Sequence, residues 1–193
     1  MLLSLLWVVH RSYTDKKMDF LKTEIEGVYI IIPQRFGDER GYFSETFKQE
    51  EFNENIGEIN FIQDNESYSS YGVLRGIHFQ KGEYSQAKIV RVVEGTVLDV
   101  AVDLRKESPT FGKYVAIELS AENGKQLFIP RHFGHAFLVL SEHAKFVYKV
   151  DNKYAPDHEC SLAYNDPDVK IQWPIKNPLV SQKDKLGMRL SDI

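Results

Sequence analysis

The sequence predicts an all-β protein, an antiparallel sandwich or jelly roll with a few short peripheral helices. Three observations carry that prediction. From residue 27 onward, short runs alternate apolar with polar residues; Gly and Asn turns cut them at regular spacing; and only one early stretch has a helical period. A parallel α/β sheet would need amphipathic helices of roughly 10–15 residues between the strands.

The elements follow in order. Residues 28–32 form a first strand ending at Pro33, whose missing amide hydrogen stops a ladder. Gly37-Asp38-Glu39-Arg40-Gly41 reads as a charged turn into a strand over 42–47. Residues 48–56 place Phe52 and Ile56 one helical turn apart, just before Gly57. Strands are expected over 59–64, 72–80, 88–93 and, past the Glu94-Gly95 turn, 97–104. Residues 114–119 and 126–129 flank Asn123-Gly124, a hairpin turn signal. Strands over 136–140 and 145–150 complete the set, and a polar tail after Pro174 holds one short helix following Ser181.

Bulk properties bound the function. The run Met1 to Val9 is apolar but shorter than the roughly 20 residues that cross a bilayer, and it lacks the basic start and small-residue cleavage site of a secretory signal. Met18 opens a stretch that reads as an ordinary N-terminus, so residues 1–17 are expected to be an extension and 18–193 a single domain. A net charge of -4 argues against a nucleic-acid partner, which needs a clustered basic excess. With no membrane segment expected and a single Cys160, which forms no internal disulfide, the expected setting is the cytoplasm.

The chemistry centres on Gly72 to Gln80 and on Lys88, ten residues after His78. This segment brings a guanidinium (Arg75), an imidazole (His78) and an ammonium to strand and turn positions. The imidazole titrates near neutrality and so suits proton transfer. A lone strand histidine is more often structural, so its role depends on its companions. Two segments resemble the half-motifs of metal-binding jelly rolls called cupins: Gly72 with His78, and Gly124, Pro130 and His135. Where such proteins place a second histidine this chain has Gln80, and His132 stands where glycine is usual. A catalytic metal wants three firm ligands, so no metal is expected. Arg40, Arg75, Lys88 and Lys183 could hold phosphates. Gln63, Asp64 and Asn65 carry paired donors and acceptors that could read a base or sugar edge. Tyr148 and Tyr154 offer a phenol and a stacking face.

The runs Asp38 to Glu45, Gln63-Asp64-Asn65, Gly72 to Gln80, Asp99 to Asp103, Ser108 to Gly112, Ile129 to Phe137, Tyr148-Lys149, Asn165-Asp166-Pro167 and Ser181 to Asp184 occur in this order. Together with Lys88 and Glu159 they resemble the dTDP-4-dehydrorhamnose 3,5-epimerase family of the cupin superfamily. The resemblance implies a cupin-type jelly roll acting without cofactor on a dTDP-linked 4-keto-6-deoxy sugar, in dTDP-L-rhamnose synthesis. It implies His78 as base, Asp184 as its orienting carboxylate, Lys88 beside the enolate oxygen and Tyr148 as opposing acid. Arg75, His135 and Glu159 would line the sugar or diphosphate; Tyr154 is expected at the substrate from its aromatic face alone. Arg40, Glu45, Gln63, Asn65 and Lys183 would meet the nucleotide, and Asp64 is expected at the substrate from its place between Gln63 and Asn65. The resemblance also implies a homodimer that exchanges N-terminal strands, so Arg40 and Glu45 would serve the neighbour's site. Tyr164 departs from the tryptophan usual before Asn165. A mono-epimerase at C3 or C5, a non-catalytic nucleotide-sugar binder and a metal cupin enzyme are the alternatives.

Overall fold

The computed structural model describes residues 18–193; the expected extension over residues 1–17 lies outside them. Fourteen strands run in chain order: β1 (Asp19–Lys22), β2 (Tyr29–Ile32), β3 (Arg35–Asp38), β4 (Gly41–Ser44), β5 (Gln63–Ser70), β6 (Val73–Gln80), β7 (Lys88–Glu94), β8 (Thr96–Asp103), β9 (Tyr114–Ser120), β10 (Gln126–Ile129), β11 (Phe133–Val139), β12 (His143–Val150), β13 (Glu159–Ser161) and β14 (Leu179–Val180). Two short α-helices join them, α1 (Gln49–Asn55) and α2 (Gln182–Lys185).

One sheet has the order β1-β2-β10-β7-β12-β5; the other has β13-β6-β11-β8-β9, with β14 added in parallel to β6. The neighbours in each ladder are otherwise antiparallel, and the non-sequential order is that of a jelly roll. The sheets face each other across a core built from every second residue: Val90, Val92, Leu127, Ile129 and Phe146 from one, Val97, Ala101, Phe133, Phe137 and Val139 from the other. Ring stacking of Phe137 on Phe146, with centroids 4.2 Å apart, spans the gap.

Both outer faces are covered. Phe52 of α1, 1% exposed, packs on Ile31, Ile89 and Phe128, and its ring lies 5.3 Å from both Phe61 and Phe128. The C-terminal segment lays Leu162, Val169 and Leu190 over Ile77, Phe79 and Val102.

The expected strands are present with two shifts. Ile59 and Phe61 belong to the cluster around α1, and the strand expected over 59–64 is instead the edge strand β5. The charged segment 37–41 is the tip of a two-strand hairpin, β3 against β4, with Asp38 opposite Gly41. Among the described residues no helix is long and apolar enough to cross a membrane.

Candidate active site

Strand β6 carries the imidazole, and its register decides where that imidazole points. His135 of β11 lies opposite His78 and Phe137 opposite Arg75, so Gly76 and Ile77 together face the single residue Ala136. This bulge shifts the alternation by one. Arg75 before it and His78 after it both face the interior, whereas strict alternation would send His78 to the outer side with Ile77's neighbours. Gly76 has φ +126°, and a Cβ there would come within 2.5 Å of Ala136 Cβ and 2.6 Å of the His135 carbonyl. The bulge therefore requires glycine.

His78 Nε2 lies 2.6 Å from Asp184 Oδ1. Asp184 is placed by the N-cap of α2, where Ser181 Oγ accepts its backbone N–H at 3.1 Å. The carboxylate is 3% exposed, and its second oxygen accepts the Gly76 N–H at 3.4 Å. Burial pushes the Asp184 carboxyl up, but the His78 hydrogen bond and charge, with Ser181 and Gly76, outweigh it and hold it below its ordinary value. An ionised Asp184 keeps the imidazole proton on Nε2 and leaves Nδ1 as the proton acceptor.

Lys88 and Tyr148 come from the opposite sheet. Val150 lies across from Lys88 and Tyr148 across from Val90, and both side chains enter the pocket that holds His78, lined also by Gln80, Gln86, Phe133, Tyr154 and Glu159. The Lys88 ammonium is 5.9 Å from the Tyr148 ring centroid. Burial pushes Lys88 down to about 8, against the attraction of Asp99 and Glu159. Burial pushes the Tyr148 phenol up, opposed by Arg75 and assisted by Glu159, so it is protonated at neutral pH. An imidazole and a phenol thus approach one space from opposite sides, with a cation beside the phenol.

A second histidine, His135, lies opposite His78 on the neighbouring strand. His135 Nε2 lies 2.9 Å from Asp99 Oδ2, with both residues buried, and its ring stacks on Phe146 at 5.9 Å. Burial pushes the His135 imidazole down despite Asp99, leaving it neutral at pH 7. Gln80 is committed elsewhere: its amide donates to the Tyr84 and Lys153 carbonyls at 2.7 and 3.1 Å and accepts the Ala155 N–H at 2.7 Å. It ties β6 to the loops at the mouth. Among the described residues no three His, Cys, Asp or Glu side chains converge on a point that would hold a metal.

At the rim, Tyr154 donates to Glu159 Oε2 at 2.7 Å, and Lys183 pairs with the same oxygen. Burial pushes Glu159 up, but Lys183 and Tyr154 outweigh it and hold it below its ordinary value, while the hydrogen bond to Glu159 raises Lys183. Gln63 and Asn65 stand on the inward side of β5, joined at 2.7 Å, with Asn65 opposite Tyr148. Arg75 donates to Ser69 Oγ at 2.9 Å and to the Tyr68 carbonyl at 3.4 Å.

Of the expected site residues, His78, Lys88, Tyr148, Tyr154 and Glu159 line this pocket directly, while Asp64, Arg40 and Glu45 face elsewhere. Asp64, one position out of phase with Gln63 and Asn65, faces the outer side and pairs with Lys149 at 2.8 Å. Arg40, at the tip of the β3–β4 hairpin, pairs with Asp38, and Glu45 is exposed just past β4. Sequence reasoning also passed over Asp99, Gln86, Phe133 and Ser181. For Asp99 a signal existed: it falls in phase with Val97 and Ala101, which makes it a charge on an inward face.

The chain is similar to known proteins. The family model for dTDP-4-dehydrorhamnose 3,5-epimerase matches residues 22–192. A dTDP-4-dehydrorhamnose 3,5-epimerase from Shigella flexneri is 52% identical over 176 residues, 91% of this chain and 97% of its own. The crystal structure of such an enzyme from Elizabethkingia anophelis superposes with a TM-score of 0.88 at 50% identity, over 91% of this chain and 97% of the other. That of a dTDP-6-deoxy-D-glucose-3,5-epimerase from Legionella pneumophila, in complex with dTDP-4-keto-L-rhamnose, gives 0.88 at 44% identity over 91% and 94%. Matched by the family model over residues 22–192 and by these enzymes over about nine-tenths of its length, the chain belongs to the dTDP-4-dehydrorhamnose 3,5-epimerase family.

Proposed function

We propose that this protein epimerises C3 and C5 of dTDP-4-dehydro-6-deoxy-D-glucose, giving dTDP-4-dehydro-L-rhamnose in dTDP-L-rhamnose synthesis. The observation that carries this reading is the opposition of His78, backed by Asp184, to Tyr148 across one pocket, with Lys88 beside Tyr148. A pure binder has no use for a base and an acid on facing walls.

The chemistry follows from the 4-keto group. A hydrogen on a carbon flanking a ketone is acidic because the electrons left behind spread onto the carbonyl oxygen. His78 Nδ1 takes that proton, the C–H pair becomes the enolate double bond, and Asp184 stabilises the imidazolium. The Lys88 ammonium offsets the charge on the enolate oxygen. Tyr148 then gives its proton to the other face of the same carbon, and the carbonyl re-forms with inverted configuration. Solvent resets both groups before the second carbon reacts. The ketone is the electron sink and nothing is oxidised, so the reaction as written needs no cofactor.

Glu159, Tyr154, His135 and Arg75 would bound the sugar and diphosphate, and Gln63, Asn65 and Lys183 the nucleotide. Arg40 lies at the tip of the β3–β4 hairpin and Glu45 just past it, both exposed and outside this chain's own pocket, which suits the exchange of N-terminal strands in a homodimer. Residues 18–193 act as one domain in the cytoplasm. Incubation with the substrate in heavy water, followed by NMR, tests the activity. Deuterium at both C3 and C5 of the product is expected; deuterium at one carbon would make the protein a mono-epimerase, and at neither a binder.

A further inference from the structure

Asp99 is a buried carboxylate behind this pocket, bonded to His135, that the proton transfers leave unused. It lies on β8, 0% exposed, with one oxygen on His135 and the other, Oδ1, without a hydrogen-bond partner among the described residues. A buried carboxylate beside a neutral imidazole is poorly compensated by that single bond, and a second favourable charge is expected nearby. The candidates are few. Facing the space between the sheets are Lys88 from β7, Arg75 and His78 from β6, His135 from β11, Tyr148 from β12 and Glu159 from β13. His78 is taken by Asp184 and Glu159 by Lys183 and Tyr154, and Arg75 bonds Ser69 and Tyr68 at the far side of the bulge. Lys88 forms no ion pair within 4 Å among the described residues, and Asp99 is the foremost charge attracting it.

We propose that Asp99 is a positioning residue of this site, touching no substrate but holding His135 in one tautomer and serving as the buried counter-charge that keeps the Lys88 side chain an ammonium. The proposal rests on the epimerase reading, in which Lys88 must be cationic when the enolate forms. Burial alone works against that cation. With Lys88 titrating near 8, it is mostly charged at pH 7, and the opposing charge is what preserves this margin. Glu159 also attracts Lys88, but its charge is shared with Lys183. The same carboxylate accepts His135 Nε2–H and so leaves Nδ1 of that ring as an acceptor.

The test uses Asp99→Asn, which keeps the shape and removes the charge. Lysine labelled at Cε with carbon-13 is titrated by NMR in the full-length protein, the Lys88 signal being the one lost in Lys88→Gln. In the wild type that signal is expected to titrate near pH 8. In Asp99→Asn it should titrate at least about one pH unit lower, and the high-pH limb of kcat should move down with it, leaving dTDP affinity within about twofold. At pH 6 the variant should recover most of the wild-type rate, which a merely structural defect would not permit. A Lys88 titration unmoved by Asp99→Asn overturns the proposal whatever the activity. A protein that shows the shift but no epimerisation would refute the catalytic reading alone. If the asparagine variant does not fold, Asp99→Ser is read in the same way; failure of both to fold would make Asp99 a structural residue and end the proposal.

Discussion

Replacing Asp184 with asparagine keeps the shape of the dyad and removes its charge. The wild-type contact is short, 2.6 Å between His78 Nε2 and Asp184 Oδ1, and Asp184 is only 3% exposed, so little solvent screens it. A hydrogen bond to a charged group contributes about 1.5–3 kcal/mol, which at about 1.4 kcal/mol per decade is roughly a 10- to 150-fold loss in rate. Asparagine adds a second fault. Its amide can donate to Nε2 and so move the imidazole proton to Nδ1, the atom that must accept. Together these predict a fall in kcat of about 10²- to 10³-fold, between the charge effect alone and the roughly 10⁴-fold seen when a catalytic triad loses its aspartate charge. Turnover of the 4-keto sugar nucleotide, measured by NMR beside dTDP affinity and a melting curve, checks this. Affinity should hold within about threefold, because Asp184 acts on the imidazole and not on the nucleotide. A variant that keeps more than a tenth of the wild-type rate would refute the dyad argument, and so would one whose rate loss is matched by lost dTDP binding.

Two other outcomes follow from the fold. Gly76→Ala forces a Cβ into Ala136 and the His135 carbonyl at a φ of +126°; it should cost at least about 2–3 kcal/mol in denaturant unfolding and turn His78 out of aim, so unchanged stability would show that the bulge tolerates a side chain. The second concerns Asp103, whose carboxylate takes hydrogen bonds from Arg105, Ser108 and Thr110. Burial alone would raise it, yet these bonds hold it down at about 2. Its folded value lies below the unfolded one, so its contribution, about 2.5 kcal/mol, is complete above pH 4 and is lost as pH falls from about 4 to about 2. Asp103→Asn should therefore lower stability at pH 7 by about that much and flatten the acid limb of an unfolding titration. An unchanged acid limb would contradict the linkage.

The strands that pack on both sheets were readable because burial imposes a period of two. Val97, Asp99, Ala101 and Asp103 against Leu98, Val100 and Val102 is such a case. Edge strand β5 was not readable in the same way. Gln-Asp-Asn-Glu-Ser-Tyr-Ser-Ser has no apolar face, and its strand state comes from eight cross-strand pairings with β12 rather than from its own composition. The more apolar Ile59, Phe61 and Ile62 drew the expected strand toward the N-terminus, although Ile59 and Phe61 pack against the α1 cluster. At the site, residue types were legible and directions were not. Asp64 looked equivalent to its neighbours because orientation depends on register, and the bulge at Gly76 that aims His78 is visible only where β6 meets β11. Asp99 was quoted within a motif yet assigned no role, since a partner thirty-six residues away is fixed by strand pairing alone.

In the proposed reaction, proton removal and proton return occur on opposite faces, from His78 and from Tyr148. The most direct measurement is the fate of solvent deuterium in Tyr148→Phe, which keeps the ring and removes the acid. Exchange without inversion is expected: His78 abstracts, picks up deuterium from solvent and returns it to the same face, so the recovered substrate carries deuterium at C3 or C5 with its configuration unchanged. Deuterated product inverted at the wild-type rate would show that another group supplies the second face. Loss of all exchange would show that Tyr148 is needed for proton removal itself. Either result would contradict the opposed acid and base.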